Sequence, residues 1–407
     1  MEADLVVIGA GALGLSTALH AALLGRRTVV VERHTAGSQA SGRAAGLFKS
    51  VQADELRTRL ARRSIDLALS FPDWAGAELA VTRSGSFLIA RTKQHQAYLQ
   101  TEASQSVRWG VDLREAAAGE LASRVSYYRP AGSGGADRDY ALWCPEDIYI
   151  EEPTSLIRAY LTAGQAHGVE LLESETAIGV LVSGGRVTGV ETTKRSISAP
   201  VVVDAAGAWT RQVAELAGGE VAVAPVRHQL MITEPGDAVD PADPIARIVD
   251  AAVYLRPARG GLMAGGFEAV PLPVDPRTEA RSFSTDDVPL DITVLDAMAA
   301  QVADEVPAVN GQVAEHRGGL FTMTPDGRFV TGPVPDVPGL WIASGCNGSG
   351  YSSSLAIGEA LAGWICDQPD RVDISELSPG RFDLVTDEAL VKAGLWQYAH
   401  YYDPAVG

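Results

Sequence analysis

Cysteine is scarce in this chain of 407 residues: there are three, Cys144, Cys346 and Cys366, and none belongs to a CxxC pair. Three unpatterned thiols give no disulfide framework and no thiolate metal site, and they fit a reducing, cytoplasmic setting. Positive charge is also in short supply. Lys and Arg number 33 against 51 Asp and Glu, a formal charge of −18. A surface of that sign repels phosphate backbones and anionic lipid, which argues against a nucleic-acid or membrane-surface partner. No apolar run approaches the ~18 residues that span a bilayer. The opening Met-Glu-Ala-Asp has no basic or apolar leader segment, which predicts no signal peptide. Internal repeats, low-complexity tracts, a Ser-His-Asp nucleophile pattern and a metal-ligand cluster are all missing.

What is there is ordinary globular composition, 46% hydrophobic and 21% charged, with 42 glycines. The length suggests two or three domains. Asp4 to Gly9 (DLVVIG) reads as a buried strand, Ala12 to Leu24 as a helix, and Thr28 to Glu32 as a second buried strand. A strand, a short crossover helix and another fully apolar strand make a parallel βαβ unit. Further along, the pattern predicts a helix over 54–71 stopped by Pro72, and short strands and helices over 81–144 with a GSGG loop at 132–135. It predicts a helix over 153–168, an antiparallel meander over 169–203, and strands over 221–270. Helices follow at 291–303 and 354–365. Trp396, Tyr398, His400, Tyr401 and Tyr402 crowd the end of the chain and are expected to dock a tail, 371–407, onto the body, with a lid or subunit contact as the alternative.

The βαβ unit carries Gly9-Ala10-Gly11-Ala12-Leu13-Gly14, a GxGxxG between strand and helix. Gly9 allows the turn, Gly11 lets backbone approach a pyrophosphate, and Gly14 permits close helix–strand packing. The helix N-terminus offers free N–H groups to phosphate. Glu32, at the end of the second strand, is placed to accept hydrogen bonds from both ribose hydroxyls. The combination predicts a dinucleotide site.

Three further segments favour FAD over a nicotinamide. A run of small residues after Arg33 includes Ser41, Gly42, Arg43, Ala44, Ala45, Gly46 and Leu47, and leaves room for a flat ring. Ala206, Gly207 and Trp209 close a buried strand; Ala177, in the run before it, joins the candidate set. Gly345, Asn347, Gly348, Gly350, Tyr351 and Ser352 open the last long helix, whose N-terminal dipole suits the charge that develops on a reduced flavin.

With these pieces in order from Asp4 to about Asp367, the chain resembles the D-amino-acid oxidase-like superfamily of FAD enzymes. That superfamily includes glycine oxidase, sarcosine oxidase and dimethylglycine dehydrogenase. The matching segments are DLVVIGAGALGLSTA, SGRAAG, VVVDAAGAW, TMTPDGRFVTGP and SGCNGSGY. Residues 34–47 and the segment YLRPARGGLMAGGFE look most like the dimethylglycine dehydrogenase branch. The resemblance implies an α/β fold, a Rossmann-like FAD-binding domain interleaved with an α+β substrate domain on a mixed or antiparallel sheet. The expected division is 1–80, 145–220 and 320–370 for FAD, and 81–144 and 221–319 for substrate. Because the chain ends at Gly407, the folate-binding C-terminal domain of that branch is not expected within it.

The departures from the family pattern are informative. A His that precedes the A-A-G-L run in covalent members is Arg43 here, and a Cys that precedes L-Y-T-M-T in others is Gly319. The resemblance therefore implies non-covalent FAD, with His34 the alternative attachment point. Two familiar carboxylate clamps are replaced by Phe321 and Ser352. Lys49, Arg227, Arg256 and Arg317 remain as candidate cations, or the substrate lacks a carboxylate. Tyr254 falls where relatives place an aromatic over the substrate. Glu268 is a candidate for a substrate ammonium, and His228 lies on a strand directed to the flavin. Met263 stands where oxidases of this type carry a Lys near the oxygen site, which leans the reading toward a dehydrogenase. The expected reaction is hydride transfer from a small amine or amino acid, an N-methylated one foremost, to flavin N5. The imine formed is then hydrolysed. The acceptor is O2 or a redox partner. A D-amino-acid or glycine oxidase, and a flavin-carrying subunit of a hetero-oligomer, are the alternatives.

Overall fold

The computed structural model describes residues 1–117, 119–130, 139–368, 372–383 and 386–402. The GSGG loop expected at 132–135 lies outside them. Two large sheets organise the chain. The first has six strands in the order Val330–Pro333, Leu340–Ser344, Val202–Asp204, Leu5–Ile8, Thr28–Val31 and Glu170–Leu172. All neighbours are parallel except the edge pair Val330–Pro333 and Leu340–Ser344.

Its central strands are apolar at every position because both faces are covered. Leu5, Val7, Val30 and Val203 face one core, with the helices Ala12–Leu23, Glu55–Leu69 and Ser354–Ile365. The alternate residues Val6, Ile8, Val29, Val31 and Val202 face another, beneath a three-stranded antiparallel sheet of Ala177–Ser183, Arg186–Thr192 and Ser196–Ser198. This is the period-two alternation of a strand used on both sides.

The second sheet has eight strands, in the order Val313–Met323, Ala224–Thr233, Gly261–Gly266, Val253–Ala258, Ile245–Ile248, Ser86–Ala90, Tyr140–Cys144 and Arg114–Glu115. Every pair is antiparallel except Ile245–Ile248 with Ser86–Ala90. One face packs Met231, Ala264, Leu255, Ala246 and Phe87 against the helix Ile292–Ala300. The opposite face carries Arg317, Leu230, Gly265, Tyr254 and Arg247 in one continuous cross-strand row.

Two local expectations are corrected. The stretch from 169 is not one meander. Glu170–Leu172 pairs in parallel with Thr28–Val31 and extends the first sheet, and the antiparallel meander begins only at Ala177. Pro72 also does more than stop a helix. Glu55–Leu69 is capped by the Asp54 side chain, which accepts from Arg57 N–H at 2.8 Å; Pro72 then sits in the first turn of a new short helix, Phe71–Ala75. The proline lacks the N–H that a first turn leaves unused.

Candidate active site

One cavity of about 730 Å3 lies between the two sheets, at the upper end of the range for ligand sites (~300–1,000 Å3). Gly9, Gly11, Ala12 and Leu13 border it, together with Glu32 and Arg33. The helix Ala12–Leu23 starts there with unsatisfied donors. Leu15 N–H is the first to bond back, to Gly11 O at 2.9 Å, and Ala12 N–H is met by Ser41 Oγ at 3.0 Å. Among the described residues the N–H groups of Leu13 and Gly14 have no acceptor. The first helical turn leaves such donors free for an anion.

Gly14 does not border the cavity. A Cβ there would stand 2.0 Å from Gly9 O, so its role is to let the helix lie on the turn. Glu32 Oε2 accepts from Ala10 N–H and Oε1 from His34 N–H, both at 2.8 Å. These two backbone donors fix the carboxylate plane and leave lone pairs on both oxygens toward the cavity. Such a cradle, with an oriented acid beside it, fits the adenosine and pyrophosphate of a dinucleotide.

Most of the other cofactor candidates border the same space. Ser41, Arg43, Ala44, Ala45, Gly46 and Leu47 form one wall, Ala177, Ala206, Gly207 and Trp209 another, and Gly348, Gly350, Tyr351 and Ser352 a third. Arg33 stacks its guanidinium over the Trp209 ring at 4.6 Å. Gly42, Gly345 and Asn347 are corrections: like Gly14 they shape the wall from behind. Gly42 N–H closes a turn on Gly37 O, and Gly345 would meet Thr324 and Val330 if it had a side chain. The Asn347 side chain is spent on Thr324 and Gly345.

Three of the five expected catalytic residues line the far end of the cavity: Lys49, His228 and Tyr254. Tyr254 lies across Gly265, where a Cβ would come within 2.3 Å of its hydroxyl. Leaning over the glycine, the phenol meets His228 Nε2 at 2.8 Å, while Nδ1 meets Tyr398 Oη at 2.7 Å. Phe321 stacks on the imidazole at 4.1 Å. Burial pulls the His228 pKa down to about 3, so the ring is neutral at pH 7. A neutral imidazole has one donor and one acceptor, so one tyrosine gives it a proton and the other receives one. Burial also raises the Tyr254 phenol.

Lys49 is held by Tyr401, to which it hydrogen-bonds and over whose ring it sits at 4.3 Å. Burial lowers the Lys49 pKa, partly offset by the Tyr401 phenol. Burial would raise that phenol, but the Lys49 ammonium, together with Ser349 and Arg57, offsets it, and Tyr401 lies below its ordinary value.

Arg256 and Glu268 do not line the cavity, and both are engaged elsewhere. Arg256 is fully buried and bonded to three backbone carbonyls, Ala45, Glu151 and Pro257. It ties the small-residue wall to the second sheet. Glu268 is paired with Arg227 (2.8 and 3.3 Å) and accepts from Gln229, so neither charge of that pair is free.

The sequence reading missed Arg247, Phe267 and Phe321 as lining residues, and placed Tyr401 and Tyr402 in the tail without assigning them to the site. The signal for Arg247 was a lone cation inside the wholly buried strand Ile245–Ile248. Its Nη2 pairs with the buried Asp147 carboxylate at 3.0 Å. Met263, read as a missing oxygen-site cation, does not line the cavity; it is fully buried beside Leu230 and Ile232, directly behind the wall. Among the described residues no group of His, Cys, Asp or Glu is placed to hold a metal, and no helix is long and apolar enough to cross a membrane.

Glycine cradle, ribose-facing acid and a second sheet closing over the far end define the class: an oxidoreductase scaffold built around a flavin dinucleotide. The chain belongs to the FAD dependent oxidoreductase family, whose model matches residues 4–364. It is 28% identical over 385 residues to 4-methylaminobutanoate oxidase (formaldehyde-forming) of Paenarthrobacter nicotinovorans, covering 93% of this chain and 45% of that protein. It is also 28% identical over 389 residues to glycine oxidase of Pseudomonas aeruginosa, covering 93% of this chain and 99% of that protein. The chain spans less than half the length of the first curated relatives it matches. Its fold is similar to that of L-proline dehydrogenase from P. horikoshii, with a TM-score of 0.82 at 22% identity over 94% of this chain and 98% of that one.

Proposed function

We propose that this chain oxidises the C–N bond of a small secondary or tertiary amine or amino acid, N-methylated substrates foremost. The observation that carries the reading is the single cavity that joins the Glu32 cradle to the neutral, buried His228–Tyr254 pair. When bound, FAD supplies the hydride acceptor for the C–H bond next to nitrogen.

Glu32 would hold the ribose hydroxyls, the free N–H group at Leu13 and the backbone of Gly11 the pyrophosphate, and the Ser41–Leu47 wall the flat ring, without a covalent link. Residues 1–80, 145–220 and 320–370 then act as the cofactor domain, and 81–144 with 221–319 as the substrate domain. Tyr254 presents its hydroxyl to the substrate from a position fixed by His228. The apolar surroundings of Phe267 and Phe321 disfavour an ammonium, so the amine reacts in its neutral form and no strong base is needed. The same surroundings keep water from the reacting carbon, and the imine is hydrolysed after release. Electrons pass on to O2 or to a redox partner. The three free thiols support a cytoplasmic setting.

The test is anaerobic. The purified chain is mixed with N-methyl amino acids, and the flavin bands are followed. Bleaching by N-methylated amines is the expected result. Bleaching only by D-amino acids or glycine, with peroxide formed in air, replaces the reading with an oxidase of free amino acids. A yellow protein that no amine bleaches replaces it with a flavin-carrying subunit.

A further inference from the structure

The cations around the cavity differ in how fully they are occupied. Arg227 and Glu268 neutralise one another, and Arg256 is spent on three carbonyls. Lys49 is engaged by Tyr401. Arg247 balances Asp147, a wholly buried carboxylate that would be stranded without it, and leaves only its Nε without a partner among the described residues. Arg317 is different. Its side chain is only 8% exposed, it lines the cavity, and its one bond runs from Nε to Glu315 Oε1 at 2.6 Å. Glu315 is itself shared, its other oxygen accepting from Arg259 at 2.6 Å. The buried Nη1 of Arg317 has no partner among the described residues. A guanidinium has five donors, and leaving them unmet in a buried place is costly unless a ligand meets them.

Its place in the sheet says which ligand. Arg317, Leu230, Gly265 and Tyr254 face each other across four strands, hence on one face. Gly265 has no side chain, and Tyr254 leans across it. Gly265 and Leu230 are the residues between the phenol, which would face the reacting amine, and the Arg317 guanidinium in that row.

We propose that Arg317 receives the carboxylate of the substrate, in place of the two family clamps that are Phe321 and Ser352 in this chain. This rests on the amine-oxidation reading above and narrows it to amines that carry a carboxylate. The planar fork pairs with a carboxylate through two N–H donors, which a lysine cannot copy.

The test uses the flavin-loaded protein. Acetate, propionate and butyrate, which cannot be oxidised at a C–N bond, are titrated while the flavin absorbance is followed. The wild type is expected to show a saturable spectral change. Arg317→Gln is expected to weaken it about 10–100-fold, the loss of a charge-assisted pair, and Arg317→Lys to recover part. A second measurement needs no variant: N-methyl amino acids of rising length are compared with N-methyl alkylamines of the same length as anaerobic reductants. A preference of about tenfold or more for the acids supports the clamp. Equal carboxylate affinity in wild type and a flavin-loaded Arg317→Gln, or equal reduction by both series, overturns it while leaving amine oxidation standing. Carboxylate binding that depends on Arg317, with no reduction by any amine, keeps the clamp and overturns the reaction.

Discussion

The two ends of the cavity are built on different principles. The nucleotide end is made of backbone: glycines, helix N–H groups and one acid, mostly within residues 9–46, with Glu32 oriented by two main-chain donors. The amine end is made of side chains from strands far apart in sequence, with a tyrosine from the helix Asp387–Ala399 behind them. Backbone contacts place a ligand regardless of which side chains surround it. A side-chain site depends on register, so each residue there has meaning only through its neighbours.

Paired glycine substitutions break that comparison most sharply. Gly14→Ala puts a methyl 2.0 Å from a main-chain oxygen that cannot yield without moving the turn. The expected result is a protein of normal circular dichroism that retains no flavin. Gly265→Ala puts a methyl 2.3 Å from the Tyr254 hydroxyl, the free end of a side chain. The phenol moves, its bond to His228 breaks, and flavin stays bound. Reduction by amine is expected to slow about 100-fold, the usual cost of a misplacement near 1 Å. Flavin loss in both variants, or in neither, means that the two ends are not separable in this way.

The same contrast explains what was legible. Gly9 to Glu32 could be read because strand, turn, helix and acid are consecutive, and the helix Ser354–Ile365 because its boundaries follow the local pattern. Arg256 and Arg317 could not be told apart. Both are arginines in strands beside the cavity. What separates them is that Arg256 meets carbonyls at Ala45 and Glu151, more than 100 residues away. Glu268 and Arg227 likewise cancel across 41 residues. Tyr254 and His228 were found through family resemblance, and their bond depends on an absent side chain at Gly265 that no local rule singles out.

A smaller effect sharpens the comparison through pH. His228 is held neutral down to about pH 3, whereas in the unfolded chain it takes up a proton near 6.5. Between those values the unfolded state binds more protons, so stability rises with pH and is lost as pH falls from 6.5 toward 3. The slope is about 1.4 kcal/mol for each pH unit. Urea unfolding at pH 7.0 and again one unit below the ordinary histidine pKa is expected to show that loss in the wild type and a shallower one in His228→Gln. Equal slopes in both proteins would place the protonation elsewhere.

The smallest change tests how far the tail belongs to the amine end. Tyr401 stacks on Phe267 at 4.0 Å and shares a hydrogen bond with Lys49, so the tail holds the cation and is itself packed on the end of the strand Gly261–Gly266. Tyr401→Phe keeps the ring, and with it the stacking and the cation–π contact, and removes only the hydroxyl. Flavin content is expected to stay unchanged, and amine reduction to change by no more than about fivefold, the scale of one modest hydrogen bond. The signature is spectroscopic. In the wild type one tyrosine should ionise below its ordinary pKa of 10.0, because the Lys49 ammonium, with Ser349 and Arg57, stabilises its phenolate against the effect of burial. That early rise in phenolate absorbance should vanish in Tyr401→Phe and move to higher pH in Lys49→Met. If all three proteins titrate alike, Lys49 and the tail do not share a charge, and the amine end consists of the sheet residues alone.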